Sequence, residues 1–265
     1  MPTDEPAPEL APSIEIAADI PDVAALARRF RAFDALHHGL EACVPMSGTD
    51  LDRVAHFLAV EPHDTVLDIA CGHGAMLKRL IGRTSNLTGI DLSPWAIARA
   101  DRLLASADPR VRLILGDAAR LPADRDWTHI ICLGASWIFH GFEGTVRALT
   151  RRLRPGGTIA IGDLRHRSGS GPAPGAVATA TDHRQAVEAA GGSVVDVVVA
   201  DDEAWDQYSE GVVAAADRYR VQHPGDPSAD HRAVAAQYVT DVARDRLTLE
   251  FAVVVAIMPG ESTDA

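Results

Sequence analysis

The sequence predicts an α/β fold built on a parallel, doubly wound sheet. Short β-rich runs alternate with amphipathic segments of helical period. The first well-defined strand runs into a glycine-rich turn and then a helix, the connection by which open α/β sheets hold ligands. The 265 residues, 47% hydrophobic and 23% charged, suffice for one large domain or two small ones.

Residues 1–21 are acidic and proline-rich with little to bury, and are expected as a disordered lead. An N-terminal helical segment follows over 22–60, first as an Ala/Arg/Phe pattern to about residue 40. Ser47 and Thr49 stand three residues before Asp50 and Asp52 and read as a helix start, after which Leu51, Val54 and Leu58 share a face. The core is expected over 61–200 and 247–258. Its strands are TVLDIA (65–70), NLTGID (86–91), VRLILG (111–116), THIICL (128–133), TIAIGD (158–163) and SVVDVVVA (193–200). Between them lie helices over 75–81, from a Ser93 cap with Pro94 at its first position, over 143–153 and over 182–190. Arg154-Pro155-Gly156-Gly157 is expected to stop the helix before it, and 168–175 reads as a loop. A helical insertion is expected over 201–246. Its first helix places Trp205, Tyr208, Val212, Ala215 and Tyr219 on one face, and its second starts at Asp226-Pro227 with Val234, Tyr238 and Val242 sharing a face. The apolar run 247–258 closes the sheet.

Charge and composition narrow the function. Acids outnumber bases 37 to 25, a net charge of −12, and a protein that neutralises phosphate backbones needs the opposite surplus. Nucleic acid is therefore not an expected partner. No apolar stretch reaches the length of a membrane span, and the N-terminus has neither the basic nor the apolar region of a secretory signal, so the expected address is the cytoplasm. The three cysteines form no CxxC, and the histidines show no HxxxH or HExxH spacing. Neither a disulfide framework nor a metal site is expected.

The informative run is Asp68-Ile69-Ala70-Cys71-Gly72-His73-Gly74. A dinucleotide-binding GxGxxG loop would want a small third residue, where this chain has Leu77. Asp68, inside the strand, could receive an ammonium group but would repel a pyrophosphate. Asp91 closes the next strand and Asp117 the one after. Carboxylates ending three consecutive strands suit a ligand with an amine, a ribose and an adenine.

DIACGHG, GIDLS, GDAARLP, CLGASWIF and the LRPGG turn, in this order across about 45–165, resemble the class I S-adenosylmethionine-dependent methyltransferases. SWIF and the Trp205-Asp206-Gln207-Tyr208 element resemble a bacterial small-molecule subgroup. The resemblance implies a Rossmann-like sheet of about seven strands with an antiparallel last strand, and S-adenosylmethionine as cofactor. It implies that Asp68 and the backbone of Ala70, Gly72 and Gly74 hold the methionine portion, with Leu133 and Gly134 offering backbone to its amine. Asp91 would accept both ribose hydroxyls, Leu92 would pack on the adenine, and Asp117 and the Ala118 N–H would bind its edge. Ala70 departs from the family, which has glycine there.

Methyl transfer from a sulfonium is an in-line displacement with a good leaving group, so it needs a base only when the acceptor must lose a proton. His140, after the fourth strand, is the catalytic candidate, because histidine titrates near neutrality. His37, His38, Trp137, Phe139, Asp163, Trp205 and Tyr208 are candidates for the pocket of a small-molecule acceptor.

Overall fold

A computed structural model describes residues 7–124, 126–170, 177–223 and 231–260. Eight strands form one sheet: β1 (Glu15–Ile16), β2 (Thr65–Ile69), β3 (Asn86–Asp91), β4 (Arg112–Leu115), β5 (Trp127–Leu133), β6 (Leu153–His166), β7 (Ser193–Val199) and β8 (Leu249–Ile257). Their spatial order is β1-β4-β3-β2-β5-β6-β8-β7. Every pairing is parallel except the two that β8 makes, with β6 and β7. The chain works outward from β2 through β3 to β4, then crosses back to start β5 on the other side of β2. Loops leaving β2 and β5 therefore diverge to opposite faces, and a crevice opens at their carboxyl ends.

Helices α1 (Val23–His37), α2 (Gly48–Leu58), α3 (Ala75–Leu80), α4 (Pro94–Leu104), α5 (Phe142–Thr150), α6 (Ala180–Ala189), α7 (Asp202–Gln222) and α8 (His231–Asp245) complete the fold. Strand periodicity sorts the core into two layers. Val66 faces Leu51, Val54, Leu77 and Ile97 of α2, α3 and α4. Leu67 and Ile69 face Val146 and Leu149 of α5 and Val187 of α6. Asp68 shares the face of Val66, so the period of two that buries the valine buries the carboxylate as well. A smaller cluster of Leu36, Tyr208, Val212, Ala216 and Ala235 ties α1, α7 and α8 together.

Helix starts follow local chemistry. Ser47 and Asp50 form a capping box on α2, and the Ser93 side chain accepts from the Ala96 N–H ahead of Pro94. A second capping box, Thr179 with Asp182, starts α6 two residues earlier than the apolar pattern suggests.

Two expectations are corrected. The lead is ordered in part: residues 1–6 lie outside the described residues, but Ile14 is buried and Glu15–Ile16 pair with Ile114 and Leu115 of β4. An exposed edge strand supplies backbone partners that the lead's composition does not reveal. Arg154-Pro155-Gly156-Gly157 lies within β6, because α5 ends at Thr150 and the chain extends directly along β5 from Leu153. Proline is tolerated there, near the start of the strand. The Asp226-Pro227 helix start lies outside the described residues, as does 171–176 of the expected loop.

Candidate active site

The crevice is shaped by the turn after β2. Ala70, Gly72 and Gly74 all have left-handed backbone, at φ 53°, 53° and 84°. At Gly74 a Cβ would stand 2.9 Å from Leu104 Cδ1 on α4, so glycine lets the loop sit against that helix. At Ala70 the same conformation is occupied by a residue with a Cβ, which costs about 1–2 kcal/mol relative to ordinary backbone. The Cys71 N–H donates to the Ile90 carbonyl at 3.1 Å, and the Gly72 N–H donates to Asp91 Oδ2 at 2.9 Å. Asp91 Oδ1 accepts from the Ser93 N–H at 2.8 Å. One carboxylate at the end of β3 thus holds both the loop after β2 and the start of α4.

Electrostatically the crevice is an uncompensated acidic site. Asp68 is 3% exposed. Burial first, and the Asp91 charge second, push its carboxyl well above the usual range. Burial also raises Asp91, against the pull of the N–H groups of Ser93, Gly72 and Leu92. Asp117, after β4, caps a short 3-10 turn (Ala118–Arg120) by accepting from the Ala119 N–H at 3.0 Å, and its Oδ2 lies 3.5 Å from Arg120 Nε. Ala118 is buried and Leu92 half-buried. Leu133 and Gly134 end β5, with the Gly134 N–H on the Gly162 carbonyl at 2.8 Å. Asp68, Ala70, Gly72 and Leu133 line one cleft, which Cys43 and Val44 roof over and narrow to about 50 Å³.

The helices above the crevice carry a polar chain. His37 Nδ1–H donates to the Phe33 carbonyl at 2.7 Å, leaving Nε2 to accept from the Tyr208 hydroxyl at 2.7 Å. Burial lowers the pKa of His37, in keeping with a neutral ring. Tyr238 donates to the Tyr208 oxygen at 3.2 Å, and the Cys43 carbonyl lies 3.3 Å from that oxygen. His37 and Tyr208 therefore belong to one wall that reaches the roof of the cleft, while His38, the C-cap of α1, is exposed.

The remaining pocket candidates separate. Trp205 packs in the core with α2 and α3, and Phe139 lies under the Arg152 guanidinium, 5.7 Å from ring centroid to carbon. Trp137 is 68% exposed on a 3-10 turn (Ser136–Phe139). His140 closes that turn in left-handed conformation with its side chain in solvent. Asp163, in β6, accepts from the Ser136 hydroxyl and the Leu164 N–H, and burial raises its pKa. The fold thus brings Asp68, Ala70, Gly72 and Leu133 to one cleft, ties Asp91 to its Gly72 edge, and sets Asp163 in the neighbouring strand β6. It leaves Trp137 and His140 on the surface beyond them.

Sequence reasoning missed Cys43, His73, Ser136 and Tyr238. His73 stands between the two loop glycines, a position that pointed at it. Its Nδ1–H donates to the Leu40 carbonyl at 3.3 Å, and burial lowers its pKa to about 4. Cys43 and Tyr238 had no local signal, since each acts through a partner more than 25 residues away. Among the described residues no group of three His, Cys, Asp or Glu side chains could hold a metal.

Acids stand at or near the ends of three successive strands, with Asp68 in β2, Asp91 closing β3 and Asp117 following β4. The donor set fits S-adenosylmethionine: a buried carboxylate for its ammonium group and a second with lone pairs left for two hydroxyls. Residues 66–157 match the family model of a methyltransferase domain. YjhP of Escherichia coli (strain K12) is 32% identical over 199 residues, covering 69% of this chain and 79% of that protein. A 27-O-demethylrifamycin SV methyltransferase of Amycolatopsis mediterranei is 35% identical over 140 residues, about half of either chain. The crystal structure of a S-adenosylmethionine-dependent methyltransferase from Geobacter sulfurreducens, in complex with S-adenosyl-L-homocysteine, superposes with a TM-score of 0.77 at 27% identity, over 86% of this chain and 98% of that one. The chain belongs to the class I S-adenosylmethionine-dependent methyltransferases, and S-adenosylmethionine is its cofactor.

Two predictions come from this geometry. Ala70→Gly removes a strained Cβ and should raise stability by about 1 kcal/mol in chemical denaturation, the gain being reduced by glycine's freer unfolded chain; a loss of stability would show that the Ala70 methyl group contributes packing. The second concerns pH. A carboxyl whose folded pKa is raised binds more protons in the native state, so its stabilisation is present below about pH 4 and is lost as pH rises through the raised value. Cofactor-free protein should lose stability over that window, and Asp68→Asn should flatten the loss. S-adenosylhomocysteine binding should release a proton, and its affinity should fall as pH falls through the same value; calorimetry in buffers of different ionisation enthalpy measures both.

Proposed function

We propose that the protein methylates a small-molecule acceptor held between the strand ends and the α1–α7–α8 cap. The observation that carries this reading is Asp91. Each of its oxygens accepts one backbone N–H and retains a lone pair for one of two adjacent ribose hydroxyls. Asp68 holds the ammonium group, and the Leu133 and Gly134 backbone meets the same end of the cofactor. Asp117 Oδ2 takes the adenine amino group, the Ala118 N–H its ring nitrogen, and Leu92 its face. When bound, the cofactor supplies an activated methyl group on a sulfonium. The surrounding residues exclude water and set the line of attack.

A small acceptor is supported by the name of the Amycolatopsis relative and by the surplus of acids, which disfavours polyanions. For an acceptor that must lose a proton, Asp163 is the better placed base. It is half-buried beside the crevice and held by Ser136, whereas His140 projects into solvent. The Tyr208–His37 pair, with Tyr208 clamped at both ends, shapes the wall. Cys43 and Val44 stand over the cleft that Asp68, Gly72 and Leu133 line, so cofactor binding there should alter the exposure of the 41–46 segment.

Calorimetry with S-adenosylhomocysteine tests the site. Asp91→Ala removes two charge-assisted hydrogen bonds and should weaken binding about 100-fold, and hydrogen exchange over 41–46 should change on binding. Absence of binding to folded wild-type protein would refute the reading. With radiolabelled S-adenosylmethionine and a small-molecule extract, label should pass to a low-mass product. Asp163→Asn should lower that rate about 10²-fold or more and abolish its alkaline rise, with S-adenosylhomocysteine affinity unchanged.

A further inference from the structure

A cavity of about 240 Å³ opens on the other face of the sheet from the cofactor cleft. Its floor is Val194 and Val197 of β7 and Val254 of β8, which pack in the layer of α5 and α6. Val66, whose face Asp68 shares, packs in the opposite layer. No residue lines both the cleft and this cavity. The walls are Arg165 of β6 and the start of α6, with His183 and Arg184.

The ionisable lining is basic throughout. Only 8% of the Arg165 side chain is exposed. Its Nε donates to Glu250 Oε1 at 2.7 Å. Among the described residues its two Nη atoms make no hydrogen bond, which leaves their N–H donors for the cavity. Arg184 is exposed at the rim. His183 is 1% exposed and stacks on Phe142, with ring centroids 3.7 Å apart and planes 9° apart. Neither of its ring nitrogens has a hydrogen-bond partner. Burial first, and the Arg165 charge second, lower its pKa to about 4, so the ring is neutral with one N–H and one lone pair. Keeping both unpaired in the interior is costly, and a buried polar group of this kind calls for a partner.

No Asp or Glu among the described residues lines the cavity. Asp182, in the same turn of α6, accepts from the Thr179 N–H at 2.7 Å and from its hydroxyl at 2.8 Å. Glu250 sits at the Nε edge of Arg165.

We propose that this cavity binds a small aliphatic carboxylate. Arg165 presents its Nη donors to the carboxylate, which offers the His183 N–H the acceptor that the protein does not supply. The positive end of the α6 dipole favours the same charge, and the three valines pack on the aliphatic part. A forked guanidinium matches a carboxylate with paired hydrogen bonds. Inorganic phosphate fits less well, because its outward oxygens would be buried against valine without donors. The volume suits a small molecule and not a second cofactor. This site goes beyond the methyltransferase reading and does not rest on it.

The test is calorimetric titration of isobutyrate into the full chain at constant ionic strength, with isobutyramide and inorganic phosphate titrated separately. Isobutyrate should bind saturably, and the amide and phosphate at least about tenfold more weakly. In nitrogen-15 spectra the His183 ring resonances should shift as isobutyrate is added. His183→Phe keeps an aromatic ring on Phe142 without its nitrogens, and Arg184→Gln removes a surface charge. Each should weaken isobutyrate about tenfold with S-adenosylhomocysteine affinity unchanged. The proposal is overturned by no saturable isobutyrate binding to folded wild type, by equal binding of the amide, by tighter binding of phosphate, or by an affinity that both variants leave untouched. Failure of S-adenosylhomocysteine to bind the same samples speaks against the methyltransferase reading and leaves the isobutyrate result standing.

Discussion

The hydrogen bond from the Gly72 N–H to Asp91 joins the two halves of the ligand site. Its donor lies in the loop after β2 and its acceptor at the end of β3, strands that pair in parallel from Thr65–Asn86 to Ile69–Ile90. Parallel register sets the two strand ends level. The left-handed turn through Ala70, Gly72 and Gly74 then aims a backbone donor at a carboxylate that would otherwise be buried without a partner. The neighbouring bond from Ser93 draws the start of α4 into the same arrangement. Loop, strand end and helix are therefore positioned by one acid, and every ligand contact assigned to this side of the crevice depends on it.

That arrangement carries an electrostatic cost in the free protein. Asp68 is buried and Asp91 half-buried close by, and both carboxyls are raised, chiefly by burial. An ammonium group placed beside Asp68 would meet a carboxyl that is already desolvated and oriented. The protein holds its cations elsewhere. Arg99 is paired with Asp34, and Arg31, Arg102 and Arg218 surround a separate recess.

The cap closes the site by a different kind of contact. Tyr208 is clamped between His37 and Tyr238, and its oxygen lies near the Cys43 carbonyl in the roof of the cleft. Few apolar residues form this third cluster, so the polar chain fixes the register of α1 against α7 and α8 where packing alone specifies it weakly. The roof and cap are the parts of the molecule free to differ between enzymes that share the sheet.

Much of this was legible in the sequence because it is local. Strands, helix caps at Ser47 and Ser93, the glycine turn and the acids at strand ends are encoded within a few residues of one another, where backbone preference and hydrophobic period act directly. Ala70 was marked in the sequence only by its departure from the family's glycine; its left-handed backbone is a finding of the structure. The lead's pairing with β4, the path of Arg154–Gly157 within β6, and the burial of Trp205 were decided by tertiary partners that local composition does not name. The His37–Tyr208 bond spans 171 positions, and the cavity between α1, α4 and α7 assembles one helical stripe from each of three distant segments. Sequence determined which chemistry sits on each element; only the folded structure decided which of those chemistries face one another, because packing brings together residues that no local preference connects.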